Sequence, residues 1–462
     1  MLKRIHSLAN NRCIDIGAII LFVLFTAAGI LVSLNRFWQL EVFYIDFGVY
    51  DELIWKIAHF QKPFIDHFVL GHIIIFADHF PPSILLLSPF YWFTQRSEMI
   101  LVIQALAVGL SGIVLYRIGN TILKNKLASF SILVCYFLFV GLQNAVITEF
   151  HEITVMTLPF MLTFWAFARK KVWLYFLFLV ITLGFKESTY PFGVGVGLAI
   201  ILLDRKWWKI GIITIGLSLL WGLITIEFLI PGLSHGAYVY SSNMPPGVVQ
   251  KVTALFDNTL KRRTMFYSFY SFGFLPIFSP AFWPLMLADF ASRFLPSGFD
   301  TRWGLGLHYS APTAVIMSVA SIFSWKYLQK IKLIARYWFV IAGILILNAI
   351  FLYRVVLRGP FALAYNPAFY KATANFTFVD KLTSKIPQNA TVMAQNNLAA
   401  RFTHQEVYLL RDSYKDHHPD YILIDVRSGQ NPNDLLGVRS VSTVIENLKK
   451  DSDYKLFYTN GQ

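Results

Sequence analysis

Charge is what this sequence has least of: 14% of its 462 residues are Asp, Glu, Lys or Arg, while 56% are hydrophobic. Soluble globular chains carry about 25% charged residues, so a water-facing shell around one core is excluded. Cysteine is almost missing as well. Cys13 and Cys135 both fall at or within apolar runs, which excludes a disulfide framework and a cysteine metal site. There is no fixed-period repeat and no low-complexity tract, so neither a solenoid nor a disordered tail organises the chain.

What remains is apolar length and aromatic rings, which make up 17% of the chain, with a mean hydropathy of +0.54. These are the marks of a polytopic membrane protein. The net charge of +14 does not point to nucleic acid, because the basic residues sit in short clusters between apolar runs, as the positive-inside rule requires. Lys3, Arg4 and Arg12 precede the run Ile14–Leu34, which is read as a retained helix entered from the cytoplasm. Further basic clusters at Arg117 to Lys126, Arg169 to Lys171, Arg205 to Lys209 and Lys326 to Arg336 share that side. Turns bearing Glu149, His151, Glu152, Lys186 and Glu187 fall on the other.

Crossings are expected near Met99–Arg117, Leu127–Ile147, Ile153–Ala168, Val172–Phe185, Pro191–Leu203, Ile210–Ile230, Ala311–Trp325 and Tyr337–Tyr353. Two aromatic runs, Phe266–Phe278 and Phe282–Phe294, either cross as short spans or form a re-entrant hairpin. With both crossing, the total is about eleven. Ser83–Phe93 is too short to span and reads as a helix in the interface. Pro231–Lys261, with its Pro-Pro-Gly and tyrosines, reads as a long external loop. Residues 1–358 thus form a transmembrane domain whose external loop, 35–97, carries the candidate site. Past Arg358 the composition turns polar, with β-type runs at Thr391–Ala394 and Tyr421–Asp425 and a helical pattern at Asp434–Lys449. Residues 359–462 read as a small extracytoplasmic α/β domain.

One stretch concentrates ionisable groups despite the general poverty of charge. Tyr44 to Pro82 holds Asp46, Asp51, Glu52, Asp66, Asp78 and His79, interleaved with aromatic residues. Such groups are costly beside a bilayer and mark a site. Asp46 precedes the helical spacing Phe47, Tyr50, Ile54, Ile57, which leaves two compatible readings: an N-cap, or a carboxylate presented to take a proton from a hydroxyl or amine. His59, His67, His72 and His79 with Asp66 and Asp78 keep a divalent metal open as an alternative. Their spacing matches no zinc signature, so no metal ligand is assigned and no cofactor is required.

The order of short motifs, DFG at Asp46, HFPP at His79, EFH at Glu149, FKES at Lys186, HYSAP at His308, then AQNNLAARF and DYILID, resembles the membrane family called domain of unknown function 2079. That family is grouped with the GT-C membrane glycosyltransferases. The resemblance implies a GT-C-like helical fold and inverting sugar transfer from a polyprenyl-phosphate donor at the outer membrane face, with Asp46 as general base. Asp51, Asp78, His79, Glu149, His151, Lys186, Glu187, Arg302 and His308 are the candidate substrate-binding residues. A phenylalanine, Phe80, stands within what is usually a His-Pro-Pro turn in GT-C enzymes. Cations to meet the leaving phosphate are sought in Lys186, Arg293 and Arg302, with His151 beside them. Lys186 has a plainer reading too, an ion pair with Glu187 or Glu149. The partners implied are membrane lipid and a lipid-linked sugar; the acceptor is unknown. The alternatives are a multi-pass transporter, against which the absence of repeated halves argues, and a non-catalytic binder of lipid-linked glycans.

Overall fold

The computed structural model describes residues 2–67, 70–236, 238–240, 244–427 and 437–459. Among the described residues, five helical stretches are long and apolar enough to cross a membrane: Arg12–Trp38, Met99–Leu123, Arg205–Ser234, Asp300–Leu328 and Trp338–Val356. A bent pair, Lys126–Leu138 with Val140–Ile147, makes a sixth if counted as one span. Glu152–Ala168, Val172–Leu183 and Glu187–Leu203 are apolar but shorter. A helix over Trp283–Phe294 covers the second aromatic run, whereas the helix Thr259–Tyr270 takes in only the start of the first and begins within the stretch expected to be a loop. At about 1.5 Å per residue, each twelve-residue helix is about 18 Å long, well short of a hydrocarbon core. The outer flank of the first helix leaves Ile19, Ile20 and Leu24 about half exposed, a surface suited to lipid.

The expected span Leu127–Ile147 is broken by 50° at Phe139, whose backbone is extended. The Gln143 side chain donates to the Phe137 carbonyl (2.8 Å), replacing a bond the break forfeits. Just past the break, a Cβ on Gly141 would sit 2.7 Å from that of Ser310 and 2.8 Å from the Phe139 ring. Only glycine lets the HYSAP turn approach so closely. The bend thereby carries the EFH turn, which follows Ile147, to His308.

Between the first span and Met99 the chain forms a helix over Val49–Ala58, an antiparallel hairpin and a 3-10 helix over Pro82–Trp92. The hairpin pairs β1 (Phe64–His67) with β2 (Gly71–Ile74), with Asp66 opposite His72. The Pro82–Trp92 helix turns Ile84, Leu87 and Tyr91 inward and leaves Leu86, Phe90 and Trp92 exposed.

Beyond Arg358 the runs expected to be strands do pair. β3 (Val392–Ala394) lies between β4 (Val407–Leu409) and β5 (Tyr421–Leu423), parallel to both. A helix over Gly437–Lys450 follows; residues 434–436 of the expected helical pattern lie outside the described residues. One side of this sheet joins the main core, which runs without interruption from Ala18 to Leu423. Met393, Leu410, Tyr414, Val441 and Val444 form a second, small cluster.

Candidate functional site

The chain leaves the first span and enters a π-helical turn over Tyr44–Gly48, which runs directly into the Val49–Ala58 helix. Asp46 lies inside this turn and makes no capping bond; the residue at the N-cap position is Phe43. The N-cap reading of Asp46 is therefore corrected. N–H groups at this turn are met from elsewhere in the chain, although Phe47 N also keeps its bond to the Phe43 carbonyl (3.0 Å). Glu149 Oε2 accepts from Phe43 N (3.1 Å) and Phe47 N (3.3 Å), and Asn396 Oδ1 accepts from Ile45 N (3.1 Å). Because capping is delegated, the Asp46 carboxylate is left about half exposed, at 51%, among buried charges.

The other two residues of DFG have packing roles. Phe47 is fully buried, its ring 5.3 Å from that of Phe37. A Cβ on Gly48 would lie 2.4 Å from the Tyr44 ring, whose hydroxyl donates to Glu52. Gly48→Ala should therefore force the π turn open, at a cost of about 1–3 kcal/mol. Thermal unfolding in detergent is the check, and an unchanged midpoint would mean the ring can simply move aside.

Gln104, buried in the Met99–Leu123 helix, builds the EFH turn. Its amide donates to the carbonyls of Val146 (3.0 Å) and Glu149 (2.6 Å), and its oxygen accepts from His151 N (2.8 Å). Glu149 can thus hold the left-handed φ of 55° that turns the chain. His151 Nδ1 donates to the Thr148 carbonyl (2.9 Å), which turns Nε2 toward Asp46. That nitrogen is buried, lacks a hydrogen-bond partner among the described residues, and lies 3.8 Å from Asp46 Oδ1. His308 stacks on the same imidazole, with ring centroids 3.5 Å apart. A hydroxyl oxygen placed between Asp46 Oδ1 and His151 Nε2, which are 3.8 Å apart, lies within hydrogen-bond reach of both.

On another side of the site Lys186 Nζ pairs with Glu152 Oε1 at 2.6 Å. The plainer reading of Lys186 is thus corrected in its partner, which is Glu152 rather than Glu187 or Glu149. Glu187 accepts from His79 Nδ1 (3.0 Å), Phe80 N (3.1 Å) and the Tyr238 hydroxyl (2.6 Å). His79 Nε2 lies 3.8 Å from Asp78, and the Tyr240 ring stacks on the imidazole at 4.5 Å. The loop after Ser234 thus folds its tyrosines back onto the HFPP and FKES motifs.

Crowding around the Asp46 carboxylate would raise its pKa, but His151, Lys186 and His79 outweigh that and hold it below the usual carboxylate range. Glu149 moves the other way: burial, then the charge of Asp46, pushes it well up despite its backbone donors. The two adjacent carboxylates thus shift in opposite directions, and Asp46 is the one that stays ionised to the lower pH. For Lys186, burial alone would lower the pKa; Glu152 and Glu187 reverse that and keep the ammonium charged. At His79, burial and Lys186 lower the pKa, but Glu187 and Asp78 raise it on balance.

The cations differ in what they have left to offer. Arg293, once grouped with the phosphate-facing cations, is buried and donates to the Arg302 and Gly304 carbonyls and to Thr313, so it braces the loop. Arg302 lies over the rings of Phe299 (4.0 Å) and Tyr309 (5.7 Å), and its Nε is buried with no hydrogen-bond partner among the described residues.

A model of the family described as predicted membrane protein (DUF2079) matches residues 36–459. The chain belongs to this DUF2079 family. The match takes in both the Asp46 loop and the C-terminal sheet, and with the apolar helices it fits a membrane location. No curated protein matches the chain.

Across this DUF2079 chain, the residues singled out in the sequence divide into two groups. Asp46, Asp78, His79, Glu149, His151, Lys186, Glu187 and His308 are joined through the contacts above, with Arg302 beside Tyr309. Asp51 lies apart: fully buried, it accepts from the hydroxyls of Tyr91 and Thr403 and pairs with His404 (3.0 Å). Of the histidines weighed as metal ligands, His67 (3.6 Å) and His79 (3.8 Å) both lie beside Asp78 Oδ2, while the other two stand apart. His59 lies against Trp55 and Gln95, His72 stacks on Phe64, and no group of three or more metal-type side chains that could hold an ion forms among the described residues. Several participants escaped the sequence reading. Glu152 and Gln104 sit beside or opposite motif residues, and Tyr238 belonged to a loop noted only for being aromatic. Asn396 stood inside a quoted motif with no role given to it.

Proposed function

We propose that this protein is an inverting GT-C-type glycosyltransferase that moves a sugar from a polyprenyl-phosphate donor to an acceptor at the outer face of the membrane. The observation that carries the reading is Asp46: an exposed carboxylate, relieved of capping, held ionised among histidines and a lysine where five of the motifs meet. In the reaction the acceptor hydroxyl attacks the anomeric carbon from the face opposite the phosphate. The bond between that carbon and the phosphate oxygen breaks, the electron pair leaves with the polyprenyl phosphate, and the hydroxyl proton passes to Asp46. Asp46 and His151 Nε2 orient the hydroxyl, while Arg302 meets the charge that develops on the phosphate. Arg302→Gln should weaken donor use about ten-fold or more, seen as a raised KM for the lipid donor. An unchanged KM would remove Arg302 from the donor site.

The decisive experiment incubates the purified protein with polyprenyl-phosphate sugars and follows release of the lipid phosphate. Turnover supports the transferase. Uptake into vesicles without turnover supports a transporter, and binding without either supports a glycan-binding protein.

The same reading sets the topology: a cytoplasmic N-terminus, about eleven crossings once the shorter apolar helices and both aromatic runs are counted, and residues 359–462 as an extracytoplasmic α/β domain. The basic clusters at Lys124 and Lys330 then lie inside and the Asp46 loop outside. Reporter fusions should give a cytoplasmic signal at Lys124 and an external one at Gln462. Either signal reversed would overturn the arrangement.

A further inference from the structure

The late motif AQNNLAARF lies more than three hundred residues from Asp46 in sequence, yet its side chains are spent on the first loop. Asn396, almost completely buried at 2%, caps the π turn through Ile45 N. Gln395 Oε1 accepts from Asp425 N (2.6 Å), tying this segment to the end of β5. Arg401 lies 4.6 Å over the Phe37 ring, just before the turn, and pairs with Asp380. Thr403 and His404 close on Asp51, and His404 stacks on Trp55 at 5.1 Å. Further out, Arg411 and the Leu409 N–H both bind Asp66 of β1.

We infer that Asn396 is a positioning residue for Asp46: the C-terminal segment supplies, through this one side chain, the cap that holds the Asp46 carboxylate against His151. The reason lies in the geometry of the turn. A π turn leaves its first N–H groups without helical partners; Glu149 meets that of Phe43 and adds to the Phe47 N–H, which already bonds the Phe43 carbonyl, while Asn396 meets that of Ile45. Ile45 precedes Asp46 directly, so releasing its N–H frees the peptide that sets the direction of the Asp46 side chain. Thr403, His404 and Arg411 hold the segment in place whether or not Asn396 is present, so its cap is separable from docking.

The test uses the full chain in nanodiscs and compares Asn396→Ala with Asn396→Asp, which keeps an acceptor oxygen at the same reach. Hydrogen exchange at residues 43–48 should quicken about five-fold in Asn396→Ala, the usual effect of losing a cap, and return toward wild type in Asn396→Asp. Amides of β3, β4 and the Met99–Leu123 helix should keep wild-type rates in both. The pH midpoint for carbodiimide labelling of Asp46 should rise in Asn396→Ala, because a carboxylate displaced from His151 loses its support; Asn396→Asp is compared by exchange only, since its added charge acts on Asp46 directly. Unchanged exchange at 43–48 overturns the inference, and so does loosening of the whole sheet, which would make Asn396 a strut of the C-terminal segment. These readouts need no activity. The consequence for catalysis rests on the transferase reading, where Asn396→Ala should lower kcat and leave KM for the donor unchanged. Exchange and labelling as expected, in a protein with no transferase activity, would fail that reading and leave the positioning role standing.

Discussion

Asp46→Asn should lower sugar transfer by about 10²- to 10⁴-fold while leaving the folded protein as stable as wild type. The stability half follows from the turn around it. Glu149 and Asn396 do the capping, and the Asp46 side chain, half exposed, is bonded to no backbone amide. The activity half follows because an amide matches the carboxylate in shape and cannot accept the proton. The wild-type rate should also carry an acid limb. Transfer needs ionised Asp46, His151, Lys186 and His79 depress its pKa, and activity should therefore persist as pH falls until it drops below the usual carboxylate range. Transfer by Asp46→Asn within two-fold of wild type would remove Asp46 from proton handling. Loss of folded protein would return it to a structural part.

The largest effect on stability is expected at Lys186. Its ammonium pairs with Glu152 at 2.6 Å, and the Glu152 side chain is 2% exposed. Glu152 Oε2 already lacks a hydrogen-bond partner among the described residues, so Lys186 is the main support of the carboxylate, with His79 and His151 adding to it. Lys186→Met would strand it, and breaking a buried pair from one side costs about 3–5 kcal/mol. Glu152→Gln in the same chain removes the stranded charge, so the double variant should recover much of the loss. Unfolding of both single variants and the double in detergent measures the coupling directly. A fully stable Lys186→Met that has lost only transfer would move Lys186 from the scaffold to the phosphate.

The motifs were legible in the sequence because ionisable groups are rare in so apolar a chain, and each survivor has a reason to be there. Their grouping was less legible. Asp51 carries the same signal as Asp46, five residues along the same helical stretch, but points to Tyr91, Thr403 and His404 instead. A one-dimensional reading sees two carboxylates on one segment and has no means of telling which face each occupies when a π turn shifts the helical phase between them. The hairpin β1–β2 went unread for a related reason. Its strands are four residues long and one face is covered by a segment far along the chain, so no alternation is visible locally.

By itself the sequence determined the membrane class, the apolar helices, the two late strand-forming runs, and the motifs that gather around Asp46. Composition and period decide those matters, and both are local. The tertiary structure decided who serves whom. It broke the Leu127–Ile147 run at Phe139 so that His308 could stack on His151, paired Lys186 with Glu152, and sent Asn396 back to cap the turn that presents Asp46. Each of these is a choice among polar partners of similar chemistry. Only the distances set by packing distinguish them, because a buried donor takes whichever acceptor the fold brings within reach.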